Sequence, residues 1–373
     1  MVSGDAEQRD ELDLLEDAER LISLILHRGS PSEIKSLIEQ EVPLWYQDDE
    51  GNSALHAACY VENVELVRSL IEKGAVWNAV DALSNTAADI ALSLNNTECY
   101  RLIRDAGVRS EFLLLILSSQ TAEEGERSTI LRSVDSTPAG STEAFLNTKL
   151  LFSHDANGQE VCLSDAGNGQ QVGVMMGWER EIMEETVRRL CPSHAQPGMR
   201  VLNIGFGLGI IDTLFEELPV PPSSHVIVEP HPDVLRFMRE KGWYERPNVT
   251  VFEGKWQDFV ESERFLEGGG FDAVYTDTFS ENYEELKKFF EYLPDLLSGP
   301  DAVFSFFNGL GATNATFYDV YTQVSELHLT EIGLSTEWFD VDVRSAIDRW
   351  SGTREYFSLP IYRGPLCRMR EIG

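Results

Sequence analysis

Three glycines on alternate positions, Gly205, Gly207 and Gly209, interrupt the apolar stretch VLNIGFGLGII at residues 201–211. Glycine adopts positive φ freely, lets a ligand approach the backbone, and often precedes a helix whose free N–H groups face that ligand. The pattern therefore predicts a nucleotide-type ligand site. A dinucleotide turn is spaced G-x-G-x-x-G, whereas here the third glycine comes one residue early and Ile210 follows it. This spacing favours S-adenosylmethionine over NAD.

A carboxylate and an aromatic residue follow the next two apolar runs. Glu229 lies in VIVEPHP, twenty residues past Gly209, where it could accept both ribose hydroxyls of an adenosine. The alternative for Glu229 is a solvated strand end. Trp256 and Asp258, in EGKWQDF, offer an aromatic face and a polar edge for an adenine. A tryptophan at this point is equally compatible with the protein core.

Two further carboxylates could act on a substrate. Asp277 ends the apolar run in VYTDTF, and Glu179 lies upstream in GVMMGWEREIM, where a lead-in helix could fold across the pocket mouth. Methyl transfer from a sulfonium to nitrogen requires an aligned lone pair and removal of a proton. Paired carboxylates match the planar N–H fork of a guanidinium. From spacing alone, an exposed helix residue is the competing interpretation of Glu179.

The elements that must position these residues form an α/β pattern. Between residues 200 and 307, five short apolar runs alternate with helical segments: RVLNIGF, SHVIVEP, NVTVFEG, FDAVYTD and AVFSFF. Such alternation predicts a mostly parallel, doubly wound sheet, and ligands bind such a sheet at the carboxyl ends of its strands. Two more strands, within residues 327–343 and 355–363, suit an antiparallel edge pair. We predict a seven-stranded, Rossmann-like class I methyltransferase domain over residues 149–373.

An internal repeat precedes this domain. The stretches DDEGNSALH (48–56) and DALSNTAAD (81–89) align with an offset of 33 residues, which is the ankyrin period. Short arrays of such repeats need caps, which a divergent first repeat and the apolar helix SEFLLLILSS would supply. His56 lies where ankyrin histidines bond neighbouring loops, so a structural role is predicted. We therefore expect an all-α ankyrin-repeat domain over residues 13–118.

The remaining segments are predicted to lack a core. Residues 119–148, rich in Ser, Thr, Glu and Gly, are interpreted as a linker, and residues 1–12 as a disordered amino terminus. That terminus is acidic rather than basic, and no run approaches the roughly 18 apolar residues of a spanning helix. We expect an intracellular protein, in cytoplasm and nucleus, with no membrane partner.

Charge and cysteine content exclude several classes of function. The 373 residues include 63 acidic and 30 basic ones, for a net charge of −33, which opposes binding to nucleic acid and to acidic membranes. The excess could steer a basic substrate, or it could only keep the surface solvated. The five cysteines lack C-x-x-C spacing, so reduced thiols are expected and no disulfide framework is predicted. No metal site is predicted, since the aspartates of WFDVDV have no His or Cys nearby.

Five motifs, in order, carry a family resemblance: GVMMGWEREIM, VLNIGFGLGII, EPHPDV, EGKWQD and YTDTF. With the repeats, they resemble the type IV protein-arginine methyltransferases of fungi and plants, and the domain is also similar to guanidinoacetate methyltransferase. The resemblance implies that Glu179 and Asp277 hold a guanidino group. It also implies that the following residues contact S-adenosylmethionine: Met175 and Met183 from the lead-in helix, Gly205, Phe206, Gly207, Leu208, Gly209, Ile210, Ile211, Glu229, Pro230, His231, Lys255, Trp256 and Asp277.

The resemblance also implies the reaction. It indicates transfer to the internal δ nitrogen (N5) of an arginine in a protein. We expect the repeats to dock that substrate and the protein to act as a monomer. A small guanidino compound is the alternative substrate, and a non-catalytic scaffold is the alternative function. Asn203 departs from methyltransferases at large, which usually carry an acid at that point of the first strand. A catalytic base is an alternative role for His231, although its motif caps the helix after the second strand.

Overall fold

The computed structural model describes residues 11–123, 140–155, 158–165, 171–191, 197–263, 265–344 and 353–370. The chain divides into two compact units. One contains residues 1–128 together with Ala315–Val324, and the other contains residues 129–314 and 325–373. The predicted disordered amino terminus lies outside the described residues, apart from positions 11 and 12, which begin the first helix. Within the described part of the chain, no helix is both long and apolar enough to cross a membrane.

The first unit is built from three pairs of helices. These are α1 (Glu11–Leu26), α2 (Pro31–Glu39), α3 (Ala54–Tyr60), α4 (Val64–Glu72), α5 (Ala87–Ser93) and α6 (Thr97–Glu123). The predicted separate closing helix is wrong, because SEFLLLILSS belongs to α6, which runs on without a break. Helix α6 also extends into the segment interpreted as a linker, and residues 124–139 of that segment lie outside the described residues.

The repeat offset of 33 residues reappears in the loops. Asp48 Oδ1 accepts from the Asn52 backbone N–H at 2.7 Å, and Asp81 Oδ1 accepts from that of Asn85 at 2.8 Å. Each aspartate thereby closes the same turn in front of an inner helix. His56 Nε2 lies 3.2 Å from the carbonyl oxygen of Asn85, in the neighbouring loop. The structural role predicted for His56 is confirmed.

The second unit contains the predicted α/β domain. From residue 140 onward the elements are α7 (Thr142–Leu146), β1 (Leu150–His154), β2 (Glu160–Asp165), β3 (Gln171–Met176), α8 (Arg180–Leu190), β4 (Arg200–Ile204), α9 (Ile210–Glu216), β5 (Ser224–Glu229), α10 (Pro232–Glu240), β6 (Val249–Glu253), β7 (Ala273–Thr276), α11 (Tyr283–Leu296), β8 (Val303–Phe306), α12 (Ala315–Glu331), β9 (Leu334–Asp342), β10 (Thr353–Arg354) and β11 (Ile361–Met369). Helix α7 lies in the segment interpreted as a linker.

A seven-stranded sheet forms the centre of this unit, in the order β6-β5-β4-β7-β8-β11-β9. Strands β4, β5, β6, β7 and β8 are parallel to one another, and β11 pairs antiparallel with both β8 and β9. Residues of β4, β7 and β8 are buried almost throughout, as expected for strands covered on both faces. The predicted fold class is confirmed. The strand order reverses beside β4, which is where such sheets bind ligands.

A smaller sheet, with the order β1-β2-β3-β10, was not predicted. Its strand β3 covers residues 171–176 and pairs antiparallel with β2. Met175 therefore lies on a strand, and its predicted place on a lead-in helix is wrong. The helix begins only at Arg180, after a short 3-10 turn at Gly177–Glu179. Strand β10, which is distant in sequence, pairs in parallel with β3 and completes this sheet.

Residues Ala315–Val324 belong to the first unit, although the sequence predicted one domain from 149 onward. The Tyr100 hydroxyl donates to Asp319 Oδ2 at 2.7 Å. The rings of Trp77 and Phe317 meet edge to face, with centroids 5.3 Å apart. This segment therefore covers apolar side chains of the repeats, as a cap must in a short array.

Candidate active site

The glycine turn joins β4 to α9 at the switch point of the large sheet. Gly205, Gly207 and Gly209 have φ angles of +89°, +56° and +70°, which only glycine adopts readily. A Cβ on Gly205 would lie 2.0 Å from the carbonyl oxygen of Asp277, and one on Gly207 would lie 2.7 Å from Met175 Sδ. The turn therefore packs directly against two other predicted site residues.

Glu229, the last residue of β5, is buried against this turn. Its Oε2 accepts from the Phe206 N–H at 2.9 Å, and its Oε1 accepts from the His231 N–H at 2.7 Å. Burial raises the pKa of Glu229 to about 7, although these backbone hydrogen bonds oppose the shift. The Gly207 N–H also donates to this carboxylate, which with three backbone donors retains acceptor capacity for a ligand hydroxyl.

A pocket of about 650 Å³, measured with its open mouth, lies against the glycine turn. We call it the glycine-turn pocket. Its lining includes these predicted residues: Met175, Gly205, Gly207, Glu229, Pro230, Lys255, Trp256 and Asp277. The lining does not include Met183, Phe206, Leu208, Gly209, Ile210, Ile211 or His231. Cofactor contact stays a prediction for both groups.

Several residues of the second group support the pocket from behind. The Phe206 ring packs edge to face on Trp243, with centroids 5.2 Å apart, and a Cβ on Gly209 would lie 2.2 Å from the Phe206 ring. Met183, Ile210 and Ile211 are buried in the same apolar core. These contacts hold the turn in place from its core side, while Gly205 and Gly207 of the turn line the pocket.

His231 caps α10, as its motif predicted. Its Nδ1 accepts from the Asp233 N–H at 3.1 Å, and its Nε2 lies 3.1 Å from the carbonyl oxygen of Phe145. Burial lowers its pKa, so the ring is neutral near pH 7. Because Phe145 lines the glycine-turn pocket, His231 holds part of that wall and has both nitrogens engaged.

Glu179 ends the short turn between β3 and α8, and its side chain is buried. Only 2% of the residue is exposed, so the interpretation of Glu179 as an exposed helix residue is wrong. Its Oε1 accepts from the Met176 N–H at 2.7 Å and from the Tyr356 hydroxyl. Burial and the nearby charge of Asp277 raise the pKa of Glu179 to about 8, against the effect of these hydrogen bonds.

Asp277 follows β7 and faces the same space as Glu179. Both line a second pocket, about 810 Å³ with its open mouth, which we call the acidic pocket. Burial raises the pKa of Asp277 to about 7. Asp277 also lines the glycine-turn pocket, so the two pockets meet at its side chain. A cation in the acidic pocket would therefore lie beside a ligand of the glycine turn.

Sequence reasoning missed two polar residues of the site. Glu281 lines both pockets and accepts from the Trp256 indole N–H at 3.0 Å and the Thr278 hydroxyl at 2.7 Å. Its place four residues after Asp277 was an available signal. Tyr356 lines the acidic pocket but lies far along the chain, so no local pattern pointed to it. Asp258 is exposed and accepts from the Lys255 N–H of its own turn at 3.2 Å.

Comparison with known proteins gives consistent matches in both units. Residues 21–111 match three copies of the ankyrin repeat, and residues 168–327 match the guanidinoacetate N-methyltransferase family. Protein arginine N-methyltransferase 2 of Cryptococcus neoformans var. neoformans serotype D is 41% identical over 92% of this chain and 93% of its own length. The proteins of that name from Emericella nidulans and Saccharomyces cerevisiae are 36% and 35% identical, over 82% and 81% of this chain and 78% and 77% of their own lengths.

Proposed function

The chain belongs to the family of the fungal protein arginine N-methyltransferase 2 proteins, and from that membership we propose that it methylates arginine in a protein at the internal δ nitrogen, N5. S-adenosylmethionine is the methyl donor. One observation carries the proposal: Glu179 and Asp277 share a pocket that adjoins the glycine turn. A buried pair of acids of this kind suits a planar cation with several N–H donors.

The residues of the glycine-turn pocket fit S-adenosylmethionine. Gly205 and Gly207 line this pocket without a side chain, and the Glu229 carboxylate, held by three backbone N–H groups, retains acceptor capacity for a ribose hydroxyl. Trp256 and Lys255 line the same pocket at the end of β6. When bound, the cofactor supplies an electrophilic methyl group on a sulfonium sulfur.

The acidic pocket would orient the arginine. Oε1 of Glu179 accepts from the Met176 N–H and the Tyr356 hydroxyl, so its Oε2 would be the oxygen that accepts from the substrate. Glu179 and Asp277 would together hold the terminal N–H groups of the guanidinium, leaving the δ nitrogen toward the methyl donor. Methyl transfer from the sulfonium sulfur to the δ nitrogen would leave a neutral thioether and would require loss of the δ N–H proton. Asp277 would accept that proton, because its pKa of about 7 suits a proton acceptor near neutral pH.

The choice between a protein and a small guanidino compound has a direct test. We expect radioactivity from labelled S-adenosylmethionine, incubated with the enzyme and a cell extract, to appear in proteins. The ankyrin unit favours this outcome, because a free metabolite does not need a docking array. Label confined to small metabolites would favour the guanidinoacetate-like reaction. Absence of label, with S-adenosylmethionine bound, would favour a scaffold.

Arginine binding should depend on pH through the two acids. A guanidinium binds well only when both are ionised, and their pKa values are about 7 and about 8. We expect an arginine peptide to bind about 1,000-fold more weakly at about pH 6 than at about pH 9, since each pKa unit corresponds to a tenfold change and pH 6 lies about one unit below the pKa of Asp277 and about two units below that of Glu179. Calorimetry in two buffers of different ionisation enthalpy should also show proton release on binding near pH 7. A flat profile without proton release would contradict the paired-acid site.

We also propose that the repeats dock the protein substrate through their loops. Trp45 and Leu83 are 62% and 82% exposed, and the neighbouring loop tips are joined by the Ala82 N–H, which donates to the Glu50 carbonyl at 2.9 Å. Exposed aromatic and apolar side chains commonly anchor partners. Replacing both with serine should lower labelling of extract proteins about 30-fold or more, since such anchors contribute more than about 1 kcal/mol each.

The same variant should methylate a short arginine peptide at the normal rate, because the peptide lacks the protein surface that the repeats are proposed to bind. Leu113→Ser, which removes an exposed apolar side chain from α6, serves as the matched control. Equal losses on the peptide and on extract proteins would contradict a docking role.

A further inference from the structure

Behind the glycine turn, three polar side chains form a hydrogen-bonded cluster, which we call the buried polar network. The catalytic scheme does not use it. Asn203 is on β4, Asp212 is on α9 and His225 is on β5, and each is 0% exposed. Burying polar groups so completely costs free energy unless they are hydrogen-bonded to one another. Hydrogen bonds connect this network to the backbone carbonyl of Gly205.

His225 lies between two carboxylates. Its Nε2 is 3.0 Å from Asp212 Oδ1, and its Nδ1 is 2.8 Å from Glu216 Oε1. An ionised carboxylate only accepts hydrogen bonds, and a neutral imidazole donates from one nitrogen alone. Both contacts are satisfied together when the ring is an imidazolium. The edges of Phe215 and Trp243 enclose the ring, with centroids 5.7 and 6.1 Å away.

Asn203 connects Asp212 to the glycine turn. Its Nδ2 donates to Asp212 Oδ2 at 2.9 Å and Oδ1 at 3.0 Å, and to the carbonyl oxygen of Gly205 at 2.8 Å. The chemistry fixes this orientation of the amide, because the reversed one would place its oxygen against three acceptors. An aspartate at position 203 could donate to none of them. This explains the amide where methyltransferases usually carry an acid.

The Gly205–Phe206 peptide is consequently held from both sides. The Asn203 side chain donates to the carbonyl oxygen of Gly205, and the N–H of Phe206 donates to Glu229 Oε2 at 2.9 Å. In a trans peptide the carbonyl and the N–H point in opposite directions. A rotation of this peptide that broke the contact with Asn203 would also break the contact with Glu229.

We infer that Asn203, Asp212 and His225 are positioning residues for the cofactor, which fix the Gly205–Phe206 peptide so that it holds the Glu229 carboxylate toward the ribose. The inference rests on the proposed function only for the identity of the ligand. None of the three residues lines the glycine-turn pocket, so each acts through the turn. Removal of one should weaken cofactor binding without removing a ligand contact.

The charges around His225 determine how the buried polar network responds to pH. Burial alone would lower the pKa of His225, but the hydrogen bonds and charges of Asp212 and Glu216 raise it above its usual 6.5. Glu216 is also bonded by the Asn248 side-chain amide at 3.0 Å and faces the charge of Arg246. The charge of Asp212 also acts on Glu229 and Tyr275. Because its pKa in the folded protein is raised, His225 is protonated at low pH and donates to both Asp212 and Glu216. As the pH rises through that pKa, the ring loses a proton and one of these two hydrogen bonds is lost.

The test compares S-adenosylmethionine affinity in wild type, Asp212→Asn and Asn203→Asp by calorimetry across pH, with no arginine substrate present. In wild type, affinity should fall on the acid side as Glu229 takes up a proton and on the alkaline side as His225 loses one. In Asp212→Asn, the new amide can accept from Asn203 and donate to a neutral His225. The alkaline fall should therefore disappear while the acid fall remains.

Asn203→Asp should bind S-adenosylmethionine about 30-fold or more weakly at alkaline pH, where two ionised carboxylates face each other and Gly205 loses its donor. Glu217→Gln, an exposed change directly after α9, should match wild type. An identical alkaline fall in wild type and Asp212→Asn, or unchanged affinity in a folded Asn203→Asp, would overturn the inference. If wild type itself binds no S-adenosylmethionine, the proposed function fails instead.

Discussion

Replacing Glu179 with glutamine should lower methyl transfer to an arginine peptide by about 30-fold to several thousand-fold, because disrupting a buried charged pair typically costs about 2 to 5 kcal/mol. The change keeps the shape of the side chain but removes its charge. It also places an amide that donates against a guanidinium whose nitrogens only donate. Cofactor affinity should be nearly unchanged, since Glu179 lines the acidic pocket and not the glycine-turn pocket.

Glu181→Gln is the matched control, because Glu181 is exposed on the next turn of the same segment. It should leave rate, cofactor affinity and melting temperature as in wild type. If a folded Glu179→Gln enzyme works at near the wild-type rate, the two-carboxylate site is wrong, and Asp277 or another residue positions the arginine.

Replacing Gly205 with alanine should weaken S-adenosylmethionine binding by about 5-fold to 150-fold. The added Cβ would lie 2.0 Å from the backbone oxygen of Asp277, so either the turn or the residue after β7 must move. Overpacking of this kind costs about 1 to 3 kcal/mol, and each 1.4 kcal/mol is about tenfold in affinity. The positive φ adds strain for any residue other than glycine. The binding constant is measured by calorimetric titration.

Gly333→Ala separates backbone strain from the close contact. Gly333 has a φ of +88°, against +89° for Gly205, and no atom lies within 4 Å of its added Cβ. This variant should lose stability through strain alone and keep wild-type cofactor affinity. Equal affinity in folded Gly205→Ala and wild type would mean that the glycine turn does not hold the cofactor.

The large sheet and the repeats were predictable because both leave local patterns in the sequence. Strands β4 to β8 are short apolar runs between helical segments, and their parallel order follows from that alternation. The ankyrin loops repeat Asp48 as Asp81 and Asn52 as Asn85, and each pair makes the same hydrogen bond. The glycine turn was visible for the same reason, since its spacing reflects backbone angles that other residues avoid.

The rest depends on contacts between distant parts of the chain. Strand β3 is completed by pairing with β2 and with β10, some 180 residues later, so its sequence alone looked like the start of a helix. The burial of Glu179 and its bond from Tyr356 arise only when these strands assemble. Ala315–Val324 has no feature that assigns it to the first unit, because its partners there, Tyr100 and Trp77, are more than 200 residues earlier.

The site of methylation on arginine tests the central proposal most directly. A peptide methylated with labelled S-adenosylmethionine would be hydrolysed, and the modified arginine fragmented by mass spectrometry. A methyl group on the δ nitrogen stays with the fragment that contains the carbon chain after the terminal guanidino nitrogens are lost, and this is the predicted result. A methyl group on a terminal nitrogen leaves as methylamine. Loss of the label as methylamine would contradict the proposed N5 transfer.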